Sequence, residues 1–199
     1  LSEKKKELFP YLGVFKRKYY LVGGTAIALH LGHRRSIAFD LFTAKPIVKT
    51  RLKKKLSEIP FKQQLLFEDI DQLHLIMNEV KITFFHYPFK ISIDQKLSNG
   101  LGLPTLLSLA SMKSFALGRR AKWKDYVDLY FILKYHCSVE EISEESKTLF
   151  GDQYAEKLFR QQLSFHKDID FSEPVEFMED EVPEEEIKEC LIEKAVGFL

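Results

Sequence analysis

Asp40 is the acid whose surroundings could most readily support chemistry. It closes the run Ser36-Ile37-Ala38-Phe39-Asp40, in which Ile37, Phe39 and Leu41 alternate with Ser36, Ala38 and Asp40. A period of two is the signature of a strand, so Ser36, Ala38 and Asp40 share one face while the apolar set points to the core. A carboxylate on a core-flanked strand is costly unless something pairs with it, and a divalent cation is a natural partner. A solvated Asp40 at the start of a loop fits the same residues equally well. Upstream, Lys18–Val22 is a short aromatic and β-branched run that ends in Gly23-Gly24, and Thr25–Gly32 has helical spacing. A strand, a glycine turn and a helix can cradle phosphate, because glycine lets backbone approach closely and the helix start offers free N–H groups. Such a turn is also a common structural device, and alone it is a weak signal.

A second constellation lies in the later half. Met112-Lys113, Ala116-Leu117, Arg119-Arg120 and Lys124-Asp125-Tyr126-Val127-Asp128-Leu129-Tyr130 follow one another. On a helix Asp125 and Asp128 are three apart and share a face. They could form a surface ion-pair network with Lys124, or Lys113 and Asp125 could reach phosphate and a hydroxyl acceptor, whose proton needs a base. Other candidates carry less. His30 and His33 are spaced as a metal pair but lack a third ligand, which favours a structural or solvent role. Arg34 and Arg35 precede the acidic strand and could meet triphosphate or RNA phosphate, or lie on a loop surface. His74 and His86 are isolated, and Cys137 has no motif around it.

The elements that must position these residues alternate. The patterning predicts strands at 18–22 and 36–42, with a helix between them at 25–32. Pro46 opens a helix to about Glu58. Strands follow at 61–67, 72–77 and 80–85, the last two a hairpin across Asn78-Glu79, with a further short strand at 90–93. On the strand 80–85, Lys81 and Thr83 lie opposite core-facing Ile82 and Phe84. Pro104 starts a helix to Leu117, and helices follow at 122–135, 139–149, 152–163 and 184–197. Asp168–Glu181 reads as an extended linker. Strands precede helices, so the class is α+β: a mixed sheet in residues 1–100 and a helical domain with an acidic tail in 101–199.

The string Gly23-Gly24 followed by Ser36-Ile-Ala-Phe-Asp40-Leu-Phe resembles the first motif of the nucleotidyltransferase superfamily. With the Lys113–Tyr130 constellation in the same order, the chain is most similar to the AbiEii/AbiGii-type nucleotidyltransferase toxin family over about residues 18–135. The resemblance implies a nucleotidyltransferase-like fold and a bacterial enzyme that transfers a nucleoside monophosphate from a nucleoside triphosphate, in some members to tRNA. The implied cofactor is Mg²⁺ or Mn²⁺, and the implied partners are the triphosphate, a tRNA or protein acceptor, and a cognate antitoxin. Gly23, Gly24 and Thr25 would hold phosphate, with Ser36 and Arg35 beside them. An Asp-x-Asp pair would hold metal, Lys113 would touch phosphate and Asp125 would assist the acceptor.

The chain departs from the pattern where the first Asp should stand, at Ala38. A methyl group cannot ligate a cation, and Mg²⁺ binds weakly to a lone carboxylate. Activity is therefore expected to be lost or severely impaired. Replacement to disarm a toxic enzyme and natural loss both account for Ala38, and the intact motif around one small residue favours the first. A third carboxylate is usual on a nearby strand, but Thr83 occupies the natural place, leaving Glu79, Asp94 or Asp125 to supply it. A catalytically silent nucleotide-, RNA- or protein-binding module of the same fold is the alternative reading.

Composition sets the frame. The chain has 199 residues, 45% apolar and 30% charged, with a formal net charge of +1. That balance is ordinary for a globular protein and shows no global attraction to polyanions. The charge is local instead, basic around 45–55 and 113–124 and acidic around 173–189. Cys137 and Cys190 are too few for a disulfide scaffold or a four-cysteine zinc site, and suit a reducing cytoplasm. No apolar run approaches the roughly 20 residues of a membrane helix. The start, Leu-Ser-Glu-Lys-Lys-Lys, carries neither an initiator Met nor an apolar signal core, as expected of a trimmed chain or of one from which a tag was removed.

Overall fold

The computed structural model describes residues 1–117 and 119–197. The chain divides into two compact units, one formed by Leu1–Ala26 with Ser36–Thr105, the other by Ile27–Arg35 with Leu106–Leu199. The division is not a single cut, because the later part of the glycine-turn helix belongs with the helical unit.

The first unit opens with a helix, α1 (Glu3–Leu8), and a 3-10 turn (Phe9–Phe15) that the sequence pattern did not predict. Its strands are β1 (Tyr20–Val22), β2 (Ala38–Thr43), β3 (Gln63–Glu68), β4 (Gln72–Met77), β5 (Val80–His86), β6 (Ile93–Lys96) and β7 (Gly102–Pro104). They form one sheet in the order β3-β4-β5-β2-β1-β7-β6. β2 pairs with β5, and β1 with β7, in parallel, while the remaining neighbours are antiparallel. The sheet is therefore mixed, and the α+β class holds. One face carries the core: Phe39 and Leu41 of β2, Leu73, Leu75 and Met77 of β4, and Ile82 and Phe84 of β5 are all buried. Phe15 and Tyr19 meet Phe84 edge-on at 4.9 and 5.2 Å, so the 3-10 turn packs on this face.

Several local expectations needed revision. Ile37 is 69% exposed, because β2 begins one residue later and the alternation does not reach back to it. Pro46 does not open its helix, which runs from Lys49 to Ser57 (here α3, following α2 at Gly23–Leu31). The short strand expected at 90–93 forms at Ile93–Lys96, and Pro104 ends β7 instead of starting a helix. The hairpin at Asn78-Glu79 forms as expected, and both residues take positive φ, 50° and 64°. That is the pair of left-handed conformations a two-residue type I′ turn requires.

The second unit is helical: α4 (Leu106–Leu117), α5 (Trp123–Tyr135), α6 (Val139–Phe150), α7 (Glu156–Ser164) and α8 (Glu184–Val196). Ser138 and Glu141 form a reciprocal capping box that fixes the start of α6. The segment between α7 and α8 has no helix and makes only isolated bridges, Arg34 with Phe177 and Lys122 with Asp170. Three of its acids, Asp170, Glu173 and Glu176, are held by bases. Glu173 pairs with Lys122 at 2.7 Å and with Lys124, and Glu176 pairs with Arg35 at 2.8 Å. Among the described residues, no helix is long and apolar enough to cross a membrane.

Candidate active site

In the first unit, β1 and β2 place the glycine turn against the acid. Val22 lies opposite Asp40 in the antiparallel register, and the chain then turns at Gly23, with φ +68°, directly into α2. A Cβ added at Gly23 would come within 2.4 Å of an Asp40 carboxylate oxygen. Positive φ and that close approach together require glycine here. Gly23 and Gly24 therefore begin a helix beside the Asp40 carboxylate, and their amides lack intrahelical partners.

Thr25 and Ser36 do something other than face outward. Thr25 is fully buried, and its hydroxyl accepts a hydrogen bond from Lys5 Nζ at 2.7 Å. The hydroxyl proton has Ser36 Oγ at 2.9 Å and the Ala38 carbonyl within reach. Lys5 also donates to the carbonyls of Ser36 and Ala38, both at 2.9 Å, and lies 4.3 Å from the Phe39 ring centroid. The cause is topological. The β1–β2 register ends at Val22–Asp40, so β1 has no residue opposite Ala38 or Ser36, and Lys5 and Thr25 satisfy carbonyls left there. Thr25 thus anchors the turn from inside, and its buried hydroxyl has no open side for phosphate. Lys5 is one of three consecutive lysines, and the signal that sets it apart is its i, i+3 spacing to Leu8, which places both on the buried face of α1.

The strand register lays out the Asp40 face. Asp40 stands beside Thr83 of β5, and Thr83 beside His74 of β4. One rung away, Ala38 stands beside Lys81, and Lys81 beside Ile76. On the other side, Phe42 stands beside Phe85, their ring centroids 5.1 Å apart. Asp40, Thr83, His74, Phe42 and Phe85 are half-buried, and Lys81 is exposed. His74 is held below its ordinary pKa, first by burial and then by Lys81, with Asp40 opposing. The imidazole is therefore mainly neutral at pH 7.

This donor set does not fit a divalent metal. Asp40 is the single carboxylate on these rungs, Ala38 offers a methyl, and Thr83 beside Asp40 offers a hydroxyl. Among the described residues no group of three or more His, Cys, Asp or Glu is gathered for a metal ion. Hard cations need several oxygen ligands, and an ammonium beside position 38 opposes them further.

The second constellation lies within the helical unit. Lys113 of α4 pairs with Asp125 and, at 2.9 Å, with Asp128, both of α5. Arg34 grips Asp128 with two parallel bonds, Nε to Oδ1 at 2.7 Å and Nη2 to Oδ2 at 2.8 Å. His33 Nε2 lies 2.8 Å from Asp128 Oδ1, and Arg120 Nε donates to Asp125 Oδ2 at 3.1 Å. Lys113, Asp125, Asp128, His33 and Arg34 are all buried. Burial alone would raise the Asp128 pKa, but Lys113 and then Arg34 outweigh it and hold the carboxyl well below its ordinary range. Asp125 is lowered in the same way, with Lys113 and Arg120 overcoming burial. The surface network expected of these acids is thus a buried one. Arg34 is neither on a loop surface nor open to phosphate, and Arg35 is occupied by Glu176. Sequence reasoning missed the His33–Asp128 and Arg34–Asp128 links because 95 and 94 residues, respectively, separate the partners.

No family model matches the chain. An uncharacterised protein of Aquifex aeolicus is 30% identical over 122 residues, covering 59% of this chain and 59% of that protein, so the chain spans about three fifths of its curated relative. Among solved structures, the M. tuberculosis nucleotidyltransferase toxin MenT4 is similar with a TM-score of 0.63 at 12% identity, over 95% of this chain and 80% of that one. A candidate nucleotidyltransferase from Helicobacter pylori gives 0.59 at 15% identity, over 98% and 95%. JHP933 from the same species gives 0.57 at 15% identity, over 98% and 92%. At such low identity the likeness establishes the fold alone: this chain has the nucleotidyltransferase-like fold. The AbiEii/AbiGii-type likeness rests on the motifs.

Proposed function

We propose that the chain is a nucleotidyltransferase of the toxin–antitoxin type in which Ala38 has silenced transfer while leaving a triphosphate-binding face. The observation that carries this reading is the close approach of Asp40 to the Gly23 backbone, at the start of a helix whose first amides have no intrahelical acceptor, the arrangement by which a helix start holds an anion. The reaction proposed for a form with Asp at position 38 is transfer of a nucleoside monophosphate to an acceptor hydroxyl, tRNA among the acceptors. The hydroxyl oxygen bonds to the α-phosphorus, the bond to the bridging oxygen breaks, and pyrophosphate leaves with the electron pair. The hydroxyl proton passes to a base.

The motif likeness proposes Lys113 for phosphate contact and Asp125 for acceptor assistance. Each is held in a buried ion pair, and each has to leave it to act. A cognate antitoxin belongs to the same proposal, supported by the toxin among the structural neighbours.

The deciding experiment is Ala38→Asp. The variant with Mg²⁺, each labelled nucleoside triphosphate and bulk tRNA is expected to label RNA, whereas the parent labels none or far less. A restored chain that labels neither RNA nor protein, and does not slow growth when expressed, defeats the transferase reading. The silent binding module would then remain, favoured by the absence of a second carboxylate beside Asp40.

A further inference from the structure

Lys81 is the feature of the Asp40 face that the proposed function leaves unused. It stands on β5 directly beside Ala38 in the parallel register, about 4.8 Å away strand to strand. Its neighbour on the other side is Ile76. No carboxylate shares that rung, and among the described residues no ion pair or hydrogen bond holds the ammonium. It is exposed, whereas its strand neighbours Val80 and Ile82 are buried. Its charge is nonetheless felt on this face, since it helps hold the His74 imidazole below its ordinary range.

This placement has a specific chemical meaning. An Asp at position 38 would lie across from Lys81 and neutralise it, and the two acids would then draw a cation to the sheet. With Ala38 the balance reverses: one fixed carboxylate remains, and one unneutralised ammonium stands one rung from it. A nucleoside triphosphate carries its charge on phosphate oxygens, and a flexible lysine serves such oxygens as a mobile point charge.

We propose that Lys81 is a triphosphate-binding residue of this chain, gripping phosphate oxygens at the rung where an acid-bound metal would otherwise sit. The proposal rests on the nucleotide-binding reading of the Gly23–Asp40 turn. It goes beyond that reading by making triphosphate binding independent of divalent metal.

The test is calorimetric titration of the full chain with ATP, GTP, CTP and UTP, each in EDTA and in Mg²⁺. The parent is expected to bind at least one triphosphate in EDTA. Lys81→Met should weaken that binding about tenfold, and Lys81→Arg should stay within about threefold of the parent. Lys81 is exposed, so both variants should fold, as circular dichroism would verify. Ala38→Asp should weaken binding in EDTA, by pairing with Lys81, and make it respond to Mg²⁺. If the parent binds in EDTA and Lys81→Met binds equally well, the assignment of Lys81 is overturned while the nucleotide-binding reading stands. Binding by the parent only in Mg²⁺ overturns the assignment too. No binding in either condition removes both.

Discussion

Two charged regions of this protein obey opposite rules. Around Asp128, in the helical unit, every charge has a partner: Lys113 and Arg34 converge on one carboxylate, which also meets the His33 ring, and Arg120 completes Asp125. Around Asp40, on the sheet, the charges are few, half-buried or exposed, and held by no ion pair among the described residues. Burying an ion is tolerable only when it is paired and hydrogen-bonded, so the first arrangement is a structural solution. The second keeps its charges where solvent or a ligand can reach them, at the cost of contributing little to the fold. The difference teaches which acids to suspect of chemistry. Motif spacing drew attention to both regions, but only one has unspent binding capacity.

The sharpest way to break this comparison is to remove Asp128. Asp128→Ala leaves Arg34, Lys113 and His33 buried together without their shared anion. The expected loss is about 3–5 kcal/mol, read as a fall in the urea midpoint at pH 7. A loss below about 1 kcal/mol would show that the cluster is not structural. The pH dependence follows from the sign of the shift. Asp128 has a folded pKa well below the ordinary 3.8, so its contribution is complete above pH 4–5 and fades as acid approaches the folded value. The parent should therefore lose stability more steeply below about pH 4 than Asp128→Asn, whose amide does not titrate there.

What the sequence revealed follows the same division. The face bearing Ala38 and Asp40, opposite buried Phe39 and Leu41, was legible because a period of two is a local property. So was the Asn78-Glu79 hairpin. Lys81 could be placed on the outward face of its strand, but its position beside Ala38 could not, because parallel pairing joins segments that no local rule connects. Lys5 was hidden for another reason: helix phase puts it on the buried face with Leu8, apart from exposed Lys4 and Lys6, but nothing local reveals the carbonyls it meets beyond the end of β1. Arg34 and Arg35 make the point most plainly. They are adjacent and alike, yet one is locked on Asp128 and the other meets Glu176 at the surface. β3 shows the limit of hydrophobic pattern, since Leu65, Leu66 and Phe67 are all about half exposed on an edge strand.

A smaller effect sharpens the sheet side. Gly23→Ala meets two separate obstacles, the positive φ of +68° and an Asp40 oxygen 2.4 Å from the new methyl. Together these should cost about 1–3 kcal/mol by urea denaturation. The two can be separated, because Asp40→Ala removes the clash but not the backbone strain. The double variant should recover part of the loss and not all of it. Full recovery would mean that the turn is not strained, and no recovery would mean that Asp40 does not rest on Gly23.

The smallest effect discriminates most finely between a structural and a ligand-directed acid. Asp40→Asn keeps the shape and removes the charge. Because no ion pair depends on Asp40, stability should change by no more than about 0.5 kcal/mol, in contrast to Asp128. Binding should move the other way from ordinary loss of function. With no metal to bridge them, the Asp40 carboxylate and a triphosphate repel, so Asp40→Asn should bind triphosphate in EDTA about two- to threefold more tightly than the parent. In the Ala38→Asp background the same change should abolish the response to Mg²⁺, because there Asp40 is half of a cation site. A carboxylate that weakens anion binding in one background and enables it in the other is acting through charge at the ligand. Equal behaviour in both would place it outside the site.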